Sequence, residues 1–265
     1  MTLGKVKAQH LIRDLSLDSK EILLELEAIC AHRGARVRYA PQRTSEAMLL
    51  VFNGRGIITI NSHEPYVTRQ RFSIAHELGH FEMHKEQRNS FYCDKKDMIR
   101  WSTVSGHHLE IEANEFAAEL LMPDMLFRPE AIRRKPSMAE VENLASEFSV
   151  SLSAAARRYI DTTDEACALV FFSKNKTEYS LKSKAFSELN YWISSGTLDQ
   201  FSEAYRSSHG QKTANYMTSV DANCWIEDLP RYLQEETLLE EARYFPQIEL
   251  GLTLLWIKNG PLLRY

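Results

Sequence analysis

Cysteine is scarce and unpaired in this chain. Cys30, Cys93, Cys167 and Cys224 are scattered through 265 residues without a C-x-x-C spacing, which argues against both a disulfide framework and a cysteine-based zinc site. Long apolar runs are missing too: no stretch of 18 occurs, so no membrane span is expected. Met1 to Asp14 carries Lys5, Lys7 and Arg13 and lacks the apolar core and small-residue cleavage site of a secretory signal. The cytoplasm is therefore the expected compartment. Charge of one sign is absent as well, since Lys+Arg 32 against Asp+Glu 36 leaves a net −4 and a pI near 6.2. That balance gives no overall attraction to nucleic acid or an acidic membrane, and any such contact must come from a local patch. With 44% hydrophobic and 26% charged residues, disorder and collagen-like repetition are excluded.

What is present reads as more than one folded domain, each long enough to bury a core. Ser19 to Arg33 places Ile22, Leu23, Leu26, Ile29 and Cys30 at helical spacing, with Gly34 where a C-terminal cap belongs. Arg36 to Tyr39, Ala47 to Asn53 and Gly56 to Asn61 read as short strands. Arg69 to about His84, and about Leu109 to Met122, return to helical spacing, and Pro123 stops the second of these. Ser137-x-x-Glu140 reads as a capping box opening a helix through Phe148. Ser149-Val150-Ser151 is then a turn into a second helix ending near Ile160, which is a helix-turn-helix outline. Beyond Asp164 the pattern changes to strands at Ala166 to Ser173, Thr177 to Leu181, Val220 to Ile226 and Ile248 to Lys258, with helical stretches near Phe201 and over Leu233 to Tyr244. The whole is expected to be α+β.

The pentapeptide His76-Glu77-Leu78-Gly79-His80 carries the chemistry. Two histidines four apart lie one turn apart on one helix face, about 6 Å along the axis, and both can turn a ring nitrogen toward one zinc ion. Glu77, beside that face, is placed to take a proton from the attacking water and hand it to a leaving amine. Nine histidines and 26 glutamates in 265 residues make a chance match rare, at roughly 0.03 per chain. A third ligand must come from elsewhere, because the extended H-E-x-x-H-x-x-G-x-x-H pattern would need Gly at Met83 and His at Glu86. His84 lies two turns, about 12 Å, from His76 and reads as the helix end. Glu110 is the better ligand, with Asn114 one turn on to orient a histidine by hydrogen bonding. Glu112 is held in reserve as a ligand, and His107 and His108 in the preceding loop are further alternatives.

The blocks Arg69-Gln70-Arg71-Phe72-Ser73-Ile74-Ala75-His76-Glu77-Leu78-Gly79-His80 and Glu110-Ile111-Glu112-Ala113-Asn114-Glu115-Phe116-Ala117-Ala118-Glu119-Leu120-Leu121-Met122-Pro123 together resemble the ImmA/IrrE family of metallopeptidases. The resemblance implies a zincin-like domain over 1–130, with His76, His80 and Glu110 as zinc ligands and Glu77 as general base. It further implies an antirepressor that cleaves an Xre-type repressor bearing a helix-turn-helix domain, in DNA-damage or other stress responses or in mobile elements. Weaker similarity continues through a helix-turn-helix-like segment over 131–162 and into an α+β domain over 163–265, which in a radiation-response branch of the family is similar to a GAF sensor fold. The rival readings are a non-proteolytic regulator that sequesters a repressor and a toxin–antitoxin component. Other metals, manganese or iron, also suit two histidines and a carboxylate.

Three further expectations concern surfaces. Arg133, Arg134, Lys135, Arg157 and Arg158 could touch DNA phosphates, but the second helix opens Ser151-Leu152-Ser153-Ala154-Ala155-Ala156, which offers little for reading bases. Direct DNA binding is accordingly not expected. Strand Gly56 to Asn61 could form the sheet edge to which an extended substrate adds. Trp192, Trp225 and Trp256 read as core aromatics rather than a ligand cage, and Glu235, Glu236, Glu240 and Glu241 as the solvated face of an acidic helix.

Overall fold

In the computed structural model, which describes residues 2–18, 25–43, 45–93, 108–229 and 237–258, the β-branched run Ile57 to Ile60 lies at the centre of a sheet. That sheet combines β1 (Ala35–Ala40), β2 (Ala47–Phe52), β3 (Arg55–Asn61) and β4 (Ser90–Cys93) in the order β1-β3-β2-β4. β1 runs parallel to β3, while β2 is antiparallel to both β3 and β4. Asn53 at φ 49° and Gly54 at φ 72° close the β2–β3 hairpin, the positive dihedrals that a two-residue turn requires. The expectation that Gly56 to Asn61 is an edge strand is overturned, since β3 is paired on both sides. Proline at Thr59 would therefore remove a ladder hydrogen bond from an interior strand and disrupt the sheet itself.

The chain divides into two compact units, Met1–Phe127 with Glu147–Ser151, and Arg128–Ser146 with Leu152–Tyr265. In the first, α1 (Leu3–Asp14), α2 (Leu26–His32), α3 (Val67–His84) and α4 (His108–Leu121) accompany the four-stranded sheet. Gly34 at φ 89° ends α2 and admits β1. α3 packs on β2 and β3 on one side and on α4 on another, and α1 covers α4. The α1 stripe Gly4, Ala8, Leu11 and Ile12 is buried. At Gly4 the approach is so close that a Cβ would stand 2.1 Å from the Glu112 carbonyl oxygen, so only glycine fits there. Sequence reading had no helix at α1 and no strand at β4. Residues 19–24 of the first expected helix lie outside the described residues.

The second unit is built on an antiparallel sheet of β5 (Cys167–Ser173), β6 (Lys176–Lys182), β8 (Thr218–Asp221), β10 (Thr237–Phe245) and β11 (Leu250–Trp256), in the order β6-β5-β11-β10-β8. A short ribbon pairs β7 (Trp192–Ile193) with β9 (Ile226–Glu227). β5 is buried on both faces. On one of them Ala168, Val170 and Phe172 join Phe186 of α8 (Lys184–Glu188), Ala204 of α9 (Glu203–Ser208) and Trp225 in a single core. α5 (Asp124–Ile132) begins in the first unit and ends in the second. α6 (Met138–Glu147) opens with half of the expected capping box: Glu140 N donates to Ser137 Oγ at 3.2 Å, while the Glu140 carboxylate turns to Arg134. α7 (Leu152–Thr162) packs on β5 and β6. Its Arg157 guanidinium lies over the Phe171 and Tyr179 rings, Arg158 is buried, and Arg133 and Arg134 pair with Glu130 and Glu140. Four of the five basic residues considered for phosphate contact are thus engaged within the protein. Among the described residues no helix is long and apolar enough to cross a membrane.

Three expectations for this unit are corrected. Val220 to Ile226 is not one strand, because the 3-10 turn Ala222–Cys224 separates β8 from β9. Trp192 is 70% exposed, with the Lys182 ammonium over its ring, and so is no core residue. The expected helix over Leu233 to Tyr244 is the strand β10 from Thr237 on, and its acidic pair is not solvated: Glu240 is 0% and Glu241 1% exposed. Glu235 and Glu236 lie outside the described residues. The reason is a backbone need that spacing does not display. Glu240 accepts from the Glu203 and Ala204 amides at 3.0 and 2.8 Å and from Thr253 Oγ1 at 3.2 Å, while Glu241 accepts from the Met138 amide at 2.9 Å. Each carboxylate satisfies amides that the first turn of a helix leaves unbonded. Glu240→Ala strands two buried amides and is expected to cost about 3 kcal/mol, read as a lower denaturation midpoint of this unit. An unchanged midpoint would refute the capping role.

Candidate metal centre

α3 is buried all round from Ser73 to Phe81, where Ile74, Ala75, Leu78, Gly79 and Phe81 are apolar or small and His76, Glu77 and His80 are buried among them, with His84 buried one turn further on. Gly79 is the reason α4 can lie so close, because a Cβ there would meet the Phe116 ring at 3.0 Å. That approach brings the first turns of α4 onto the histidines. Glu110 Oε2 lies 3.1 Å from His76 Nε2 and 3.3 Å from His80 Nε2, and the two Nε2 atoms are 3.0 Å apart. His76, His80 and Glu110 thus form a group whose ligand atoms all lie within 4.8 Å of one another and could hold a metal ion.

The donor set fits zinc. Tetrahedral zinc with bonds of about 2.0–2.1 Å has ligand atoms about 3.3–3.4 Å apart, close to the separations found. Hydrogen bonding points the same way. His76 Nδ1 faces Asn114 Oδ1 at 2.9 Å; the amide oxygen only accepts, so Nδ1 carries the proton. A neutral imidazole then presents a lone pair at Nε2, opposite a carboxylate that is itself an acceptor. Acceptor facing acceptor at 3.1 Å is repulsive unless a cation or a proton lies between them.

The electrostatics of the group follow from burial and contact. Burial would push the Glu110 carboxyl up, but the His76 and His80 rings set against it outweigh burial and hold the group well below the usual carboxylate range. Burial pushes His80 down to about 4, so it is neutral at pH 7. Glu77 is the opposite case: burial first, and the Glu110 charge second, raise its carboxyl well above the ordinary value. It is 0% exposed, and neither of its oxygens has a hydrogen-bond partner among the described residues.

Of the alternatives weighed from sequence, Glu112 and His84 are not in the ligand group but on each other, with His84 Nε2 2.9 Å from Glu112 Oε2 and His84 Nδ1 2.9 Å from His80 Nδ1. His108 is exposed, with Nδ1 3.2 Å from Glu112 Oε1, and His107 lies outside the described residues. Phe91 of β4, which sequence reading did not single out, stacks on His80 at 4.4 Å between ring centroids. A cleft of about 270 Å³ lined by Glu25, Tyr39, Val67, Gln70, Arg71 and Ile74 shares no residue with the metal group.

Residues 30–159 match the model of the peptidase M78 family, described as the IrrE N-terminal-like domain, the family that the two sequence blocks resemble. A solved structure, a Mycobacterium tuberculosis transcriptional regulator, shares the fold at a TM-score of 0.58 and 13% identity, covering 97% of this chain and 88% of that one. No curated protein matches the sequence.

Metal analysis of the purified protein is expected to find about one zinc per chain. Glu110→Ala should lose most of it on dialysis against a chelator, and full occupancy in that variant would remove Glu110 from the ligand set.

Proposed function

Residues 30–159 belong to the IrrE N-terminal-like family of peptidases, and from that premise we propose that the protein is a zinc-dependent endopeptidase that hydrolyses a peptide bond in a helix-turn-helix repressor of the Xre type and so relieves repression in a stress, DNA-damage or mobile-element response. The observation that carries the reading is the pairing of a three-acceptor ligand group with a buried carboxylate, Glu77, that has no hydrogen-bond partner among the described residues. Here His76, His80 and Glu110 hold the metal and Asn114 orients His76. Zinc, when bound, supplies Lewis-acid polarisation of the scissile carbonyl and makes water more acidic. Glu77 acts as general base and then as general acid: its raised proton affinity lets it take a proton from the attacking water and deliver it to the departing amine.

The sheet edge beside this group, among the described residues, is β4, whose Phe91 stacks on His80. An extended substrate would add there through main-chain hydrogen bonds, which orient the scissile carbonyl with little demand on sequence. The second unit, with its helix pair over 138–162 and its antiparallel sheet, is read as a repressor-docking segment followed by a GAF-like domain. A transcriptional regulator of the same fold supports a role in transcription, and the family supports peptidase chemistry.

The test is a timed gel assay of zinc-loaded wild type and Glu77→Ala against Xre-type repressors from the same genome, starting with one encoded beside this gene if one exists. Wild type should cleave one of them. Glu77→Ala should lose at least about 100-fold in rate while keeping zinc and repressor binding. Binding by both without cleavage by either would favour the sequestering regulator instead.

A further inference from the structure

His76, His80 and His84 stand at successive turns of α3 with ring centroids 4.7 and 5.1 Å apart, yet only the first two face Glu110. His84 is 0% exposed, and both its nitrogens are within hydrogen-bond distance of a buried partner. Those partners determine where its proton sits. An ionised carboxylate only accepts, so the nitrogen facing Glu112 Oε2, Nε2, is the one that carries hydrogen. An imidazole that carries its one hydrogen on Nε2 offers a lone pair at Nδ1. The nitrogen facing that lone pair is His80 Nδ1, which must donate. A neutral His80 that donates from Nδ1 has its own lone pair at Nε2, the atom turned toward His76 and Glu110.

We infer that Glu112 and His84 form a positioning relay that fixes the tautomer and ring angle of His80, so that its Nε2 is presented as a metal ligand. The relay does for His80 what Asn114 does for His76, with one difference: the Asn114 amide is a neutral acceptor, whereas His84 is backed by a carboxylate. Phe91, stacked on the other side of the His80 ring, limits rotation that would break the chain. The relay also ends at solvent, since the second Glu112 oxygen meets His108, whose side chain is 83% exposed. This inference rests on the metal part of the proposed function and not on proteolysis.

The experiment uses the full chain and zinc alone. Zinc dissociation constants are measured by competition with a chromogenic chelator for wild type, His84→Phe, Glu112→Met, the double variant and His84→Gln, with visible absorption of the cobalt-substituted forms and melting of the metal-free forms alongside. Loss of either relay member should weaken zinc binding 10- to 100-fold, on the order found for outer hydrogen-bond partners of metal ligands, and should shift the cobalt band. The double variant should be no weaker than the worse single one, because both interrupt one chain. His84→Gln, which keeps one acceptor and one donor, should recover part of the loss. Metal-free melting of Glu112→Met close to wild type would assign the effect to the metal site rather than to folding, and this variant carries the test should His84→Phe not fold. Dissociation constants within threefold of wild type in Glu112→Met and His84→Phe would overturn the relay while leaving the metal site intact. A wild type that takes up no zinc would overturn the metal site and the relay with it.

Discussion

Acceptors converge in the first unit, and much of its architecture serves to bring them together. A carboxylate and two imidazole nitrogens do not approach to 3.0–3.3 Å for their mutual attraction; the helices must force them there. Two glycines permit it. Gly79 lets α3 and α4 meet over Phe116, and Gly4 lets α1 press on the Glu112 backbone from the far side. A larger side chain at either place would displace α4 and with it Glu110, Glu112 and Asn114 together. Because an arrangement of this kind is stabilised by whatever cation it holds, metal binding and packing of the unit are thermodynamically linked.

The centre is also a lesson in hydrogen-bond direction. Distances alone would make His84 and Glu112 spare ligands, since both lie next to the cluster. Donor and acceptor counting separates them: Glu112 can only accept, His84 can donate to it from one nitrogen only, and the order propagates to His80. α4 thereby contributes Glu110 to the candidate ligand group, Asn114 to His76 and Glu112 to His84, so one helix faces all three histidines.

How much of this could be read from the sequence depended on whether the signal was local. The two helices of the centre were legible because their stripes repeat at 3.6 residues, and Glu110 with Asn114 followed from one turn of spacing. The β3 strand was legible from its β-branched run Ile57-Ile58-Thr59-Ile60. What pairs with what was not: β3 looked like an edge because nothing in Ile57-Ile58-Thr59-Ile60 says that β1 will return parallel to it. β10 read as a helix because Glu-Glu and Leu-Leu favour helices locally, and burial between helices and strands of distant sequence overrode that preference. The His84–Glu112 pair was hidden for a similar reason, as each residue was judged against the metal rather than against the other.

Buried glutamates give the sharpest contrast in the molecule. Glu64 accepts from the Tyr66 amide, Glu119 from Gln9, Glu203 from Arg206, and Glu240 and Glu241 from the amides of helix first turns. Glu112 has His84. In each case burial of a carboxylate is offset by donors, and the group has a structural reason to be there. Glu77 alone among these buries both oxygens without a donor among the described residues, an arrangement that costs stability and that packing alone would not maintain, since an apolar residue of similar size would fill the same space at lower cost. On the proposed function, its value lies in the raised proton affinity that burial and the nearby Glu110 charge give it. A general base of the kind proposed needs that affinity, and a hydrogen bond donated to Glu77 would lower it.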